Sequence, residues 1–404
     1  MMRFSFTIAL RYLRTPGLKT FTSFAAKFAM IGLSIGVASL LLTSGILNGF
    51  KNVLSEKISG FDGDIRIQHF LSQPLERENV ESAKIFSTIS DIDEAAEVRA
   101  FIQSPALIRI GKQAEGVLAE GIESGTHPPT AKLLIEGKWP ATESEVVIGK
   151  TLADKFGLSV GSSAALFDMA SISGSLGYRR AKSFTVSGLF HSGLGEYDKS
   201  LVFMDLNAAA ALFQYENKVS GWSIHGLGPE SAASAAAALD EVLPYPYYTQ
   251  TYIDKHFVLF EWIRVQQWPI FILFGLITLV GLVNIISALS MIVLEKSGDM
   301  GVLLALGIPR KGIRAVFLLK GLLIGIGGGL TGCVLAFSIG YLQSVFGLIP
   351  IPEDIYFMDR IPIDFSITTS LVIVAFATAG SALASFLPAA SVANLKPSAV
   401  LRYE

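Results

Sequence analysis

The chain has 404 residues, of which 51% are hydrophobic and 16% charged, with a formal net charge of −2 and a mean hydropathy of +0.52. Soluble globular chains carry about 25% charged residues, so the composition excludes an ordinary water-soluble protein, and the near-neutral balance leaves no electrostatic footprint for nucleic acid. The single cysteine, Cys333, excludes an intramolecular disulfide.

Residues 1–27 are basic, with Arg3, Arg11, Arg14, Lys19 and Lys27 and no acidic residue before Glu56. Uncharged runs occupy 28–50, 265–294, 321–352 and 365–395. Each exceeds the roughly 20 apolar residues that cross a bilayer as a helix. Buried helices of a soluble core give shorter runs broken by charges. The first run is too long for a signal peptide and ends in LNGFK without a small-residue cleavage site. It reads as a retained anchor, the first span, at 28–50.

Residues 51–264 mix strand-like runs (DIRIQ, SEVVIG, SFTVSGLF, SLVFMD) with helical ones (GKTLADKFG, LNAAAALFQ, ESAASAAAALDEVL). Interleaved strands and helices point to an α+β or α/β domain, and the GLSVGSS and SGSLGYRR stretches read as turns or loops. Without disulfides this domain must be held by its own core. The five histidines are scattered, with no metal-ligand spacing. Gly149-Lys150-Thr151 resembles the end of a phosphate-binding loop, but Ser144 stands where the first glycine belongs. Nothing in the chain reads as an ATPase or a hydrolase, and no cofactor is expected on it.

The second span is expected at 265–294. The loop 295–315 begins EKSGDMGVLLALG, and its pattern predicts a short helix. Asp299 or Ser297 suits the N-cap. Met300, Val302, Leu303 and Leu306 lie along one broad apolar side, Gly307 ends the helix and Pro309 starts the next. A surface turn dipping leucines into headgroups fits these residues, and so does a knob gripped by a cytoplasmic motor. The third span, 316–345, repeats Gly321, Gly325 and Gly329 at four-residue spacing with Gly328 and Gly332 alongside; Gly32 and Gly36 do the same in the first span. Small residues let helices approach closely in lipid, within one chain or at a dimer seam. The loop 346–365 is acidic, with Glu353, Asp354, Asp359 and Asp364 against Arg360. A fourth span at 366–388 leads to a tail, 389–404, with Lys396 and Arg402. Lys and Arg placement puts both termini and the 295–315 loop in the cytoplasm and 51–264 outside it. The expected fold is an α-helical membrane protein with four transmembrane helices and a large α+β periplasmic domain between helices 1 and 2.

EKSGDMGVLLALG, the basic helix after it and the Gly-rich third span resemble the coupling segment of FtsX-like (ABC3) permeases. The ending FLPAASVANLKPSAVLRYE is similar to that family's close. FTIALRYLR, IGLSIGVASLLLTSGILNGFKNVLSEKISGFDGDIRI, EGKWP and VVIGKTLADKFGLSVGSS narrow the resemblance to LolC/LolE-type permeases of the lipoprotein-releasing ABC transporter.

That resemblance implies a subunit of the Gram-negative inner membrane that extracts triacylated lipoproteins and passes them to a LolA-like periplasmic carrier. It implies a second permease subunit, the same chain or a paralogue, and a separate LolD-like ATPase that binds ATP and Mg. Glu295, Lys296, Asp299, Met300, Leu303, Leu306 and Gly307 would meet the ATPase. The family's lipid path between the first and second spans maps to Leu47, Asn48, Gly49 and Phe50, with Trp262 and Val265 opposite; Trp262 and Trp268 equally suit an interfacial aromatic belt. The stretch DMASISGSLGYRRAK occupies the position of the LolC-type hook that recruits the carrier, though it lacks the hook's proline. Leu176, Tyr178, Arg179, Arg180 and Lys182 would contact the carrier there, and an ordinary hairpin loop fits the same residues. Two other functions fit the wider family. A macrolide-exporter type carries its ATPase ahead of the first span, where this chain has 27 residues; a cell-division signal relay has a much smaller outer domain.

Overall fold

The computed structural model describes residues 21–123, 133–173, 180–352, 356 and 358–392. The chain forms two compact units, one of residues 1–51, 261–350 and 360–404, the other of 52–260 and 351–359.

The first unit is built from long helices. Among the described residues, four are long and apolar enough to cross a membrane. They lie in Phe21–Asp62, in Phe257–Val265 continued by Gln267–Glu295, in Arg310–Phe346 and in Ile367–Val392. Hydrocarbon offers backbone groups no partner, so an uncharged run of this length is driven to close its own i→i−4 bonds. Leu33, Val37, Leu41, Ile285, Leu289, Ile324 and Ile373 form the common core.

Glycine sets how closely these helices meet. A Cβ on Gly321 would stand 2.5 Å from Ser385 Cβ, one on Gly325 2.9 Å from Ser381 Cβ, and one on Gly329 3.0 Å from Val374. That stripe therefore packs on the fourth span, and Ser381 Oγ donates to Gly321 O at 2.6 Å. Gly328 and Gly332, one position round the helix, meet Leu33 and Val37 of the first span, each at 2.8 Å. Ser34 Oγ and Thr331 Oγ1 share a hydrogen bond at 2.5 Å across the same seam. Gly32 and Gly36 face Asn284 and Ile277 of the second span. Of the two expected roles for these stripes, packing inside the chain is the one these contacts fill.

The second unit holds twelve strands among its described residues. They are β1 (Ile65–His69), β2 (Leu75–Glu76), β3 (Glu97–Ile110), β4 (Gln113–Ile122), β5 (Leu134–Gly137), β6 (Glu145–Gly149), β7 (Ser163–Asp168), β8 (Ala181–Phe190), β9 (Leu201–Asp205), β10 (Lys218–Val219), β11 (Gly221–His225) and β12 (Tyr247–Thr251). Ten form one sheet in the order β12-β1-β11-β3-β4-β9-β6-β8-β5, with β7 on β3 and β8, and β2 pairs with β10. The strand-like runs noted above fall in β1, β6, β8 and β9; the helical runs fall in Lys150–Phe156, Leu206–Phe213 and Pro229–Val242.

Strand β3 joins the two halves of the sheet. Its start, 97–101, pairs with β11, while 102–110 pairs with β4 and 106–109 also with β7. Pro105 falls between the stretches paired with β11 and with β7, where a residue without an N–H is best tolerated. Helices Val80–Ile92 and Pro229–Val242 bury Ile85, Ile89, Ala232, Ala235 and Leu239 in a core with Ile65, Ile67, Ile102, Trp222 and Ile224. Fully burying each large side chain contributes about 1.5–3 kcal/mol. The first of these helices starts on a capping box: Asn79 Oδ1 accepts from Ser82 N at 2.7 Å and Ser82 Oγ from Asn79 N at 3.0 Å. The EGKWP stretch hooks the edge strand back. Gly137 has φ +81°, and a Cβ there would lie 2.1 Å from Ser187 O, so glycine is required. Trp139 then packs edge-on to Phe203, 5.2 Å between centroids.

Two predictions follow from these cores. Gly325→Ile forces a branched side chain into the third and fourth spans and should lower stability by about 1–3 kcal/mol. Thermal unfolding of the detergent-purified chain reads this; an unchanged Tm would show that the spans are not seated on this glycine. His225 concerns the sheet. Burial, and then the Arg99 and Arg66 charges, push its imidazole down to about 3. The unfolded chain takes up that proton near pH 6.5, so between these values protons favour unfolding. Stability from a neutral His225 is full above about pH 6.5 and is lost as pH falls toward 3. The Tm of wild type should therefore fall more steeply than that of His225→Gln between neutral and acidic pH, and parallel slopes would contradict the assignment.

Candidate coupling helix and cargo cleft

The loop after the second span folds as expected into a helix, Ser297–Ala305, of nine residues. Its start differs from the expected cap. Lys296 occupies the N-cap, and its side chain makes no capping bond to the helix backbone. Ser297 Oγ donates back to Leu294 O at 2.8 Å, and Asp299 lies 3.2 Å from Lys296 Nζ. In the first turn the Asp299 carboxylate still complements the helix dipole. The end is a Schellman motif: Gly307, at φ +86°, donates to Leu304 O, and Ile308 donates to Leu303 O, both at 3.1 Å. Pro309 caps the next helix, Arg310–Phe346.

The expected single apolar side divides in two. Met300, 4% exposed, packs with Leu304 and Ile308 against Ile313 and Phe317. It belongs to the bundle core and is withdrawn from the surface a partner would meet. Val302 and Leu306 are 48% and 76% exposed, with Leu303 half-buried between the two faces and Glu295, Asp299 and Gly307 exposed. Both stripes have i, i+4 spacing. One anchors the helix; the other is on offer.

On the first span Leu47, Asn48 and Phe50 are half-buried, but Gly49 is not free to line a path. A Cβ there would stand 2.7 Å from Pro362 O, so Gly49 admits the backbone ahead of the fourth span. Trp262 and Val265 are both more than half exposed. What the structure brings together between the first and second spans is a cavity of about 630 Å³, lined by Phe28, Ile31, Gly32 and Ile35 on one side and by Asn284, Ser287 and Met291 on the other. The available signal was Asn284 and Ser287, polar residues in an apolar run, opposite the Gly32–Gly36 pair.

Of the expected carrier-binding residues, Leu176, Tyr178 and Arg179 lie outside the described residues. Arg180 is engaged by the domain itself, 2.9 Å from the buried Asp168 carboxylate. Lys182 lies 3.7 Å from Glu143 and over the Phe184 ring. Each of these two cations thus already faces an acidic neighbour within its own domain. Among the described residues no group of three metal-ligating side chains occurs.

Residues 28–243 match the family described as the MacB-like periplasmic core domain, and residues 271–397 the FtsX-like permease C-terminal family. The chain belongs to the FtsX-like permeases with a MacB-like core domain. The lipoprotein-releasing system transmembrane protein LolC of Xylella fastidiosa is 26% identical to it over 99% of both chains. LolC of Neisseria meningitidis is 25% identical over 98% of both, and LolE of Haemophilus influenzae 25% over 99% of both. The LolC/LolE resemblance drawn from the motifs is thereby borne out along the whole chain. The periplasmic region of MacB from Actinobacillus actinomycetemcomitans overlays 50% of this chain and 95% of its own, at 10% identity and a TM-score of 0.33, too low to bear on function.

In this permease the two faces of Ser297–Ala305 should respond differently to charge. Met300→Asp buries an unpaired carboxylate, which costs several kcal/mol, and should lower the Tm sharply. Leu306→Asp leaves its carboxylate in water and should leave the Tm unchanged. Equal losses in thermal unfolding would show that the outer face is packed as well.

Proposed function

We propose that this chain is a permease subunit of an ABC transporter that extracts lipoproteins from the inner membrane and hands them to a periplasmic carrier, driven by a separate ATPase that binds ATP and Mg. One observation carries the reading: proteins named LolC and LolE match the chain end to end. The α+β domain of 51–264, inserted between the first two spans, stands in the periplasm, and both termini and the 295–315 loop face the cytoplasm, in keeping with Lys and Arg placement.

The permease performs no bond chemistry in this scheme. It works as one of a pair, beside a second copy or a paralogue. The ATPase grips Val302, Leu303 and Leu306, with Glu295, Lys296, Asp299 and Gly307 at the rim. ATP-driven closure of the motor displaces that helix and shifts the second and third spans that flank it. The cleft lined by Ile31, Ile35, Asn284 and Met291 takes the acyl chains of a triacylated lipoprotein, and Leu47, Asn48 and Phe50 meet them further along the first span. Trp262 and Val265 border that path, and the segment around Leu176, Tyr178 and Arg179 meets the carrier.

Depletion of the chain in its own organism tests the function. Outer-membrane lipoproteins should accumulate in the inner membrane; their normal export, with no paralogue expressed, would overturn the reading. Complementation with Val302→Asp plus Leu306→Asp should give the same arrest with the permease still inserted, and the ATPase should no longer co-purify. Full retention of the ATPase and of export would reduce the helix to a surface turn.

A further inference from the structure

Within the second unit, Asp62 gathers donors from three separate segments. Lys255 Nζ reaches Oδ1 at 2.6 Å. His256 Nε2 meets Oδ2 at 2.6 Å, and Tyr197 OH donates to the same oxygen at 2.9 Å. Arg66 Nη2 lies 3.5 Å from Oδ1. Arg66 also ties off the helix end, its Nε donating to Asp62 O at 2.8 Å and Nη2 to Phe61 O at 3.2 Å. The same guanidinium bonds both Glu120 oxygens, at 3.0 and 3.1 Å, and lies 4.4 Å over the Phe101 ring. Asp62 and Glu120 against Arg66 and Lys255 make a charge-balanced quartet, with the Asp62, Arg66 and Glu120 side chains 3%, 3% and 7% exposed.

The chain positions of these groups give the quartet its meaning. Asp62 is the last residue of Phe21–Asp62, a 42-residue helix that begins as the first span, about 63 Å of unbroken rod at 1.5 Å per residue. Lys255 and His256 stand directly ahead of Phe257–Val265, the helix that leads into the second span. Tyr197 belongs to Gly195–Ser200 and Glu120 to β4, both in the half of the sheet beyond β3. The rod's last turns are seated there too. Leu54 and Ile58 are fully buried, Lys57 Nζ donates to Ser192 O at 2.6 Å, and Phe61 packs on Tyr197 and Phe190 at 4.9 and 5.8 Å. Apolar packing alone would hold such a rod as firmly but would let it rotate or slip. Directional bonds to one buried carboxylate fix its angle, and breaking any of them leaves a buried charge unmatched.

We propose that Asp62 is a positioning residue for transport, pinning the end of the first-span helix, the lead into the second span and the Tyr197–Glu120 half of the sheet into one body, so that displacement of either span is delivered to the cargo-handling domain. This inference rests on the transport reading and adds the residue through which motion passes. It is tested on the full complex, purified with its ATPase and reconstituted with a fluorescent triacylated lipoprotein and the soluble carrier. The variants are Asp62→Asn and the pair Lys255→Gln plus His256→Gln, which cuts only the second-span arm; Arg77→Ala, breaking a half-exposed pair with Glu123, is the control. A purely structural role would lower ATP turnover and release together, in proportion to folded complex. Positioning keeps turnover within about twofold while release per ATP falls at least about fivefold, the lower range of measured coupling between sites, with Arg77→Ala like wild type. Unchanged release per ATP in the folded Lys255/His256 variant would overturn the proposal, and that variant decides if Asp62→Asn fails to fold. Wild type that hydrolyses ATP without releasing lipoprotein would instead sink the transport reading. Hydrogen exchange at residues 197–203, with and without ATP, then judges the pin alone: it should respond in wild type and not in the Lys255/His256 variant, and an identical response in both would overturn it.

Discussion

A helix surrounded by lipid gains nothing by hiding apolar surface, and it cannot leave a backbone group unpaired. The membrane unit of this permease is organised by those two facts. Its helices are long because each must close its own hydrogen bonds across the hydrocarbon. They are held by close backbone approach, at Gly321, Gly325 and Gly329 on the fourth span and at Gly328 and Gly332 on the first. Where contact loosens, as between Ile31 or Ile35 and Asn284 or Met291, a cavity remains. The tightly packed seams and the open one belong to the same set of helices.

The second unit obeys the opposite solvent. In water the hydrophobic effect works, so its sheet is closed by Ile, Val, Phe and Trp side chains and needs no disulfide. Against that background the charged set around Asp62 stands out. A buried ion group is weak evidence for stability, since apolar residues of equal volume hold as well. Direction is what a carboxylate adds. If the spans move as proposed, direction is what the places where they begin and end would need.

The architecture was largely legible in advance, for a physical reason that varies by element. The spans were legible because hydrocarbon tolerates so few charges that four uncharged runs can be read directly. Strands such as Glu145–Gly149 were legible as short apolar runs buried along nearly their whole length, and helices such as Leu206–Phe213 because burial of one face imposes its period on the sequence. The candidate sites were less so. Met300 and Leu306 sit in one apolar run, and both 300/304/308 and 302/306 satisfy helical spacing; only packing against Ile313 and Phe317 separates anchor from exposed face. Arg180 looked available until Asp168, twelve residues earlier, was found beside it. Gly49 read as lining for a lipid path, whereas the backbone at Pro362 lies against it.

By itself the sequence determined the four runs long and apolar enough to span a membrane, the short helix ending at Gly307 and the kinship with LolC/LolE-type permeases, because all of these depend on composition and local period. Tertiary structure alone decided which glycine faces which helix, which leucine is exposed, and that Asp62 meets Lys255 and His256 across nearly two hundred residues of chain. Neither a carboxylate nor a glycine carries the address of its partner. That address is written only when distant segments fold into reach.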